Sequence, residues 1–196
     1  MSAADAAFYF DLASPLAYLA AERVLATMPV ATEWQPVLAR ELPGAESFEA
    51  FRCENELQVF TGELARRATE LGVQPLRLPD PFPFDSELAM RVATYAKSIG
   101  RTVAFAQAAF RQAFAGGRNL GLAENVLIAA AACEMHPAAV LKGAELASTA
   151  AQLAQATAAA AALGVRDVPT IRVGSHLFEG ERALEQAAAW AGKLVA

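Results

Sequence analysis

Strand-forming sequence is confined to the two ends of this chain, and the long middle reads as helix. Near the start, Phe8-Tyr9-Phe10 is an aromatic run of the kind a pleated surface favours. Thr32-Glu33-Trp34-Gln35-Pro36-Val37-Leu38 alternates apolar and polar residues, and Pro36 puts that strand at a sheet edge or near a bulge. Between these runs, Leu16 to Leu25 carries Leu16, Leu19, Ala20 and Val24 on one side of a helix. Strand, helix and strand at this spacing predict a parallel pair joined by a right-handed crossover. Strand signals return only after Gly164. Val168 to Val173 and His176 to Phe178 flank Gly174-Ser175, a two-residue hairpin turn. Gly180-Glu181 then opens a last amphipathic helix with Leu184, Ala188 and Trp190.

The middle is punctuated helix. Phe48 to Gly72 is helical, with Gly72 as its C-cap. Leu76 to Phe84 contains Pro79, Pro81 and Pro83 and must be an extended loop. Asp85 or Ser86 caps a helix from Glu87 to about Ile99, and Thr102 to Phe114, Leu122 to Glu134 and Pro137 to Leu163 follow as further helices. The alanine-rich end of that last stretch suits a helix, because alanine is the strongest helix former. The order β-α-β, helices, β-β-α predicts an α/β chain with a thioredoxin-like core and a large all-helical insertion. The core takes residues 1–44 and 164–196, and the inserted helical domain takes 45–163.

Composition narrows the function classes. With 55% hydrophobic and 19% charged residues among 196, the chain has the means to bury a core. A net charge of −5 argues against a nucleic-acid partner. No apolar run approaches the ~18 residues of a membrane span. The first residues lack the basic start of a secretory signal, so the expected location is cytoplasmic. Cys53 and Cys133 stand far apart, neither in a CxxC, and read as isolated buried thiols. His136, at a helix start, and His176, on a hairpin strand, have no ligand spacing around them, so no metal is expected.

The residues with chemical promise lie at the junctions. A strand running into Ser14-Pro15-Leu16-Ala17 brings a helix N-terminus, with its unpaired N–H groups, to the end of the first strand. Thioredoxin-like redox proteins carry Cys-Pro-x-Cys at this point, and here both sulfurs are missing. Ser14 reads either as an N-cap before Pro15 or as a hydroxyl donor to an anion, with a ligand thiolate the natural candidate. Val168-Pro169 is a candidate cis bond whose Val168 N–H and C=O would be free to pair with an extended ligand; the alternative is a trans proline starting an edge strand. Gly180-Glu181-Arg182 reads as either a solvated first turn or a carboxylate-binding one. Phe82-Pro83-Phe84 reads as packing, or as one wall of an apolar pocket.

These segments, in order, resemble the kappa-class glutathione transferases and 2-hydroxychromene-2-carboxylate isomerases of the DsbA-like branch of the thioredoxin superfamily. The resemblance rests on Phe8-Tyr9-Phe10-Asp11-x-x-Ser14-Pro15, Trp34-Gln35-Pro36, the Phe-Pro loop with Leu88-Ala89-x-Arg91, Gly164-Val165-x-x-Val168-Pro169-Thr170 and Leu177-Phe178-x-Gly180. It implies glutathione as co-substrate or cofactor. Ser14 would stabilise its thiolate, Val168 and Pro169 would hold its cysteinyl backbone, and Gly180, Glu181 and Arg182 its γ-glutamyl end. Asn55 is a loose counterpart of an asparagine in the family's insertion. Glu181-Arg182 stands where the family carries an aspartate for the glutathione ammonium; Glu181 would substitute from one position earlier, while Arg182 would repel it. The implied function is a glutathione-dependent isomerase or transferase acting on a small apolar or aromatic substrate, with a homodimer allowed. The alternatives are a non-catalytic thioredoxin-fold binding protein, or a DsbA-family oxidoreductase homologue lacking the CxxC.

Overall fold

All five residues of β1 (Ala6–Phe10) are buried, as expected of a strand paired on both edges and covered on both faces. The computed structural model describes residues 5–44 and 54–195. In it β1 runs parallel to β2 (Thr32–Pro36) and antiparallel to β3 (Thr170–Val173), which pairs antiparallel with β4 (His176–Glu179). The sheet order is β2-β1-β3-β4, so Pro36 sits on an edge strand as its missing N–H requires. Gly174 takes φ +59 at the first central position of the β3–β4 turn, a conformation glycine adopts without steric cost.

Residue alternation along β1 gives the sheet two faces. Ala6, Phe8 and Phe10 enter the larger core, where the Trp34 ring stands edge-on to Phe8 at 5.0 Å. Ala7 and Tyr9 enter a smaller cluster with Val165, Val168 and Ala160. The larger core does not stop at the sheet. Phe10 meets Phe110 at 5.8 Å, and Phe110 belongs to α5 (Thr102–Phe114) in the middle stretch.

The predicted helix from Leu16 to Leu25 is two helices, α1 (Pro15–Ala21) and α2 (Val24–Thr27). The chain opens at Arg23, whose guanidinium reaches Glu185 at 2.7 Å. In the middle, α3 (Glu54–Glu70) is followed by the extended 76–84 segment, with cis bonds at Asp80–Pro81 and Phe82–Pro83. The predicted start of α3 at Phe48, and Cys53 with it, lie outside the described residues. Asp85 accepts the Glu87 N–H ahead of α4 (Glu87–Ser98). The helix expected over Leu122–Glu134 is α6 (Ala123–Ala131); Glu134 turns to φ 59 and the Met135 N–H closes on Ala130 O.

Pro137 to Leu163 is likewise not one helix. It divides into α7 (Pro137–Glu145) and α8 (Ala147–Ala162) at Leu146, whose ψ of 131° is extended. No proline or glycine forces this break; tertiary packing does. Gly143 brings α7 against the Tyr95 ring of α4, while α8 turns away so that Thr157 accepts the Leu38 N–H at 2.9 Å beyond β2. The last helix, α9 (Ala183–Val195), begins after the turn Gly180–Arg182 rather than within it, with Gly180 at φ +80. Among the described residues, no helix is long and apolar enough to cross a membrane.

Candidate functional site

The end of β1 and the start of α1 are held by Asp11. Its carboxylate accepts the Ala13 N–H at 2.9 Å and the Ala39 N–H at 3.0 Å, and its carbonyl accepts the Ser14 N–H at 3.0 Å. Asp11 is buried, and that burial raises its pKa above the ordinary value, outweighing the hydrogen bonds from Ala13, Ala39 and Ser86 and the nearby Arg40 charge. Sequence reasoning counted this residue in the resemblance but gave it no role; the signal was a carboxylate three positions before a helix cap, where an Asx turn closes.

Ser14 caps α1 with extended backbone and accepts the Ala17 N–H on Oγ at 3.2 Å. Pro15 has no N–H, Ala17 and Tyr18 donate to Ser14, and the Leu16 N–H remains without a partner among the described residues. The same Ser14 hydroxyl donates to the Val168 carbonyl at 3.4 Å, across a gap of 154 residues in sequence. The Val168–Pro169 bond is cis, as the sequence suggested. Serine and cis-proline therefore face each other, although their segments come from opposite ends of the chain.

The expectation that both Val168 backbone groups stand free is not met. Its N–H donates to Asp167 Oδ1 at 2.7 Å, and its carbonyl takes the Ser14 bond. Asp167 can do this because its own side chain folds back over the next amide, a local geometry that residue types alone do not reveal. Pro169 O accepts the Gly180 N–H at 3.2 Å, which fixes the 180–182 turn beside the cis-proline.

From Leu16 a cleft of about 620 Å³ opens between α1, α3 and that turn, lined by Leu16, Asn55, Val59, Phe60, Leu64, Glu181, Glu56 and Glu63. Asn55 and Glu181 thus meet in one cleft, and Gly180 borders a narrow crevice beside it. Arg182 is exposed and lines neither. The α3 stripe of the cleft was missed from sequence, although its spacing of three and four residues was present. Of the Phe82-Pro83-Phe84 loop, Phe82 packs, its ring stacked on Phe60 at 6.3 Å and edge-on to Phe114, while Pro83 and Phe84 line a small pocket of about 160 Å³ with Asp11 and Ala13. Cys133 is a free buried thiol whose pKa burial raises, so it is poorly suited to nucleophilic work.

Comparison with known proteins agrees with this fold. The solved structure of a 2-hydroxychromene-2-carboxylate isomerase superposes with a TM-score of 0.82 at 19% identity, covering 97% of this chain and 95% of that one. A probable DsbA oxidoreductase from Streptomyces coelicolor gives 0.78 at 21% identity, covering 97% and 90%. The cytosolic disulfide reductase DsbM from Pseudomonas aeruginosa, in a structure with GSH, gives 0.67 at 15% identity, covering 97% of each chain. No curated protein sequence matches. The DSBA-like thioredoxin domain model matches residues 7–189, and the chain belongs to that family.

Proposed function

We propose that this protein is a glutathione-dependent enzyme of the isomerase or transferase type. The observation that carries the reading is Ser14 Oγ, 3.4 Å from the carbonyl before cis Pro169, in a DSBA-like fold with serine and alanine at positions 14 and 17. With no sulfur at that turn, the reacting sulfur comes from a ligand. A fold shared with a DsbM structure containing GSH, and with 2-hydroxychromene-2-carboxylate isomerase, supports the choice of ligand and reaction class.

The residues present suit such a ligand. A thiolate beside Ser14 would draw the hydroxyl hydrogen from its long bond to Val168 and meet the unpartnered Leu16 N–H. Glu181 offers a carboxylate to the ligand's ammonium, and Arg182, the expected repulsive neighbour, lies outside the cleft lining. When bound, glutathione would supply a nucleophilic thiolate that adds to an electrophilic carbon, reversibly in isomerisation and lastingly in transfer. The apolar cleft beginning at Leu16 would take the second, apolar or aromatic substrate.

Ser14→Ala tests this reading. It should raise the pKa of the bound thiol, followed by thiolate absorbance across pH, and weaken glutathione binding in calorimetry. Loss of the cap should cost about 1 kcal/mol of stability. Wild-type protein that binds no glutathione near neutral pH would overturn the proposal. A second reading, a thioredoxin-fold binding protein without catalysis, draws on the Val168 N–H being spent on Asp167. It predicts ligand binding without turnover. A DsbA-type dithiol activity would require insulin reduction that is lost in Cys53→Ser/Cys133→Ser protein, because these are the chain's two cysteines.

A further inference from the structure

Two walls of the cleft beside Ser14 come from elements far apart in the chain, α3 and the turn Gly180–Arg182. Behind the cleft runs the narrow crevice that Gly180 borders, and Leu16 and Glu181 line both spaces. Arg67 of α3 lines the crevice and not the cleft. It shares a helix face with Phe60 and Leu64 of the cleft wall, at i, i+4 and i+7. Its guanidinium crosses to the other wall: Nη2 donates to the Glu181 carbonyl at 3.5 Å and stands 3.9 Å from Glu185 Oε1. Glu185 is itself fixed from a third element, by Arg23 at the break between α1 and α2, at 2.7 Å. The neighbouring carbonyls of the turn are already taken, that of Gly180 by the Ala183 N–H and that of Arg182 by the Gln186 N–H. Arg67's contact with Glu70, at 3.8 Å, lies within α3 and joins nothing across the cleft. The contacts to Glu181 and Glu185 are long for a guanidinium, whose charge-assisted bonds close at about 2.7–2.9 Å. They have room to shorten, and Glu185 Oε2 is buried without a hydrogen-bond partner, an acceptor in reserve for that movement.

From this arrangement we infer that Arg67 is a positioning residue: it ties the α3 wall to the 180–182 turn and so sets where the Glu181 carboxylate stands against a ligand in the cleft. A planar fork can reach acceptors on two residues at once, which a lysine ammonium, a single point charge, does less well. Arg67 acts through Glu181 and touches no ligand itself. The part of the inference that concerns the ligand's ammonium rests on the function proposed above; the link between the two walls does not.

The first arm of the test uses the whole protein without ligand. Amide hydrogen exchange in α3 and in residues 180–183 should be about fivefold faster in Arg67→Gln protein, while α4 and α5 exchange as in wild type. Arg67→Lys should fall between the two. Unchanged exchange in either segment, or a uniform rise across the molecule, overturns the inference. The second arm is calorimetry with glutathione and with its analogue lacking the γ-glutamyl amino group. Arg67→Gln should weaken glutathione binding about fivefold and leave the analogue nearly unchanged, and Glu181→Gln should show the same selectivity. Equal loss for both ligands means that Arg67 only supports the fold, and that result also overturns the inference. Wild-type protein that binds neither ligand sinks the thiol reading alone; the exchange arm then decides the Arg67 link by itself.

Discussion

Asp11 commits both carboxylate oxygens to backbone amides, joining the strand-to-helix turn to the segment after β2. Burial holds its pKa above the usual aspartate value, so the folded protein keeps this proton more tightly than the unfolded chain does. Its contribution is therefore full below the unfolded pKa and is lost as pH rises through the folded one. Asp11→Asn keeps the shape but does not titrate, and it leaves one buried amide without an acceptor at about 1–3 kcal/mol. The deficit relative to wild type should be largest near about pH 4 and shrink toward about pH 7. Urea midpoints for both proteins across that range give the answer; a deficit growing toward neutrality would contradict the raised pKa. Ser14 belongs to the same turn, since its own N–H is anchored on the Asp11 backbone carbonyl.

At the scale of elements, the contact between α7 and α4 is set by one missing methyl group. A Cβ at Gly143 would fall 2.4 Å from the Tyr95 ring. Gly→Ala inside a helix ordinarily gains about 1 kcal/mol. Here the sign should reverse, to a loss of about 1–3 kcal/mol from overpacking. Thermal unfolding of Gly143→Ala in wild-type and Tyr95→Ala backgrounds tests this, because removing the ring should restore the ordinary gain. The same contact shows what sequence alone could and could not convey. The strands, and an edge as one of two placements for Pro36, followed from side-chain alternation and turn residues, and so did the spans of α4 and α5. The division at Leu146 did not, because leucine and alanine favour helix locally and only the packing of α7 on α4 and of α8 toward β2 overrides them. At the site, Ser14 and Pro169 were legible from a short ordered pattern. The Asp167 bond to Val168 and the α3 wall of the cleft were not, because each depends on how a side chain is turned in space.

Across the whole molecule, the helical middle shares its core with the sheet. Phe110 is fully buried and touches Phe10 of β1, Tyr18 of α1 and Phe114, with ring centroids 5.8, 6.2 and 6.4 Å apart. Phe110→Ala should cost about 3–5 kcal/mol. In a Trp190→Phe background, Trp34 fluorescence reports the sheet while far-UV dichroism reports mainly helix, and both should move to the same lower midpoint. Distinct midpoints would mean that the two parts unfold independently. The sheet that depends on this shared core is also assembled out of order. β1 ends at Phe10 and its partner β3 begins at Thr170, so on a ribosome roughly 10–30 s of elongation separate the two, at ~5–20 residues per second. Through that interval the aromatic central strand has one open edge, the exposure that invites pairing with a neighbouring nascent chain. Vectorial synthesis therefore leaves this protein's most buried strand half-paired until most of the chain has been made.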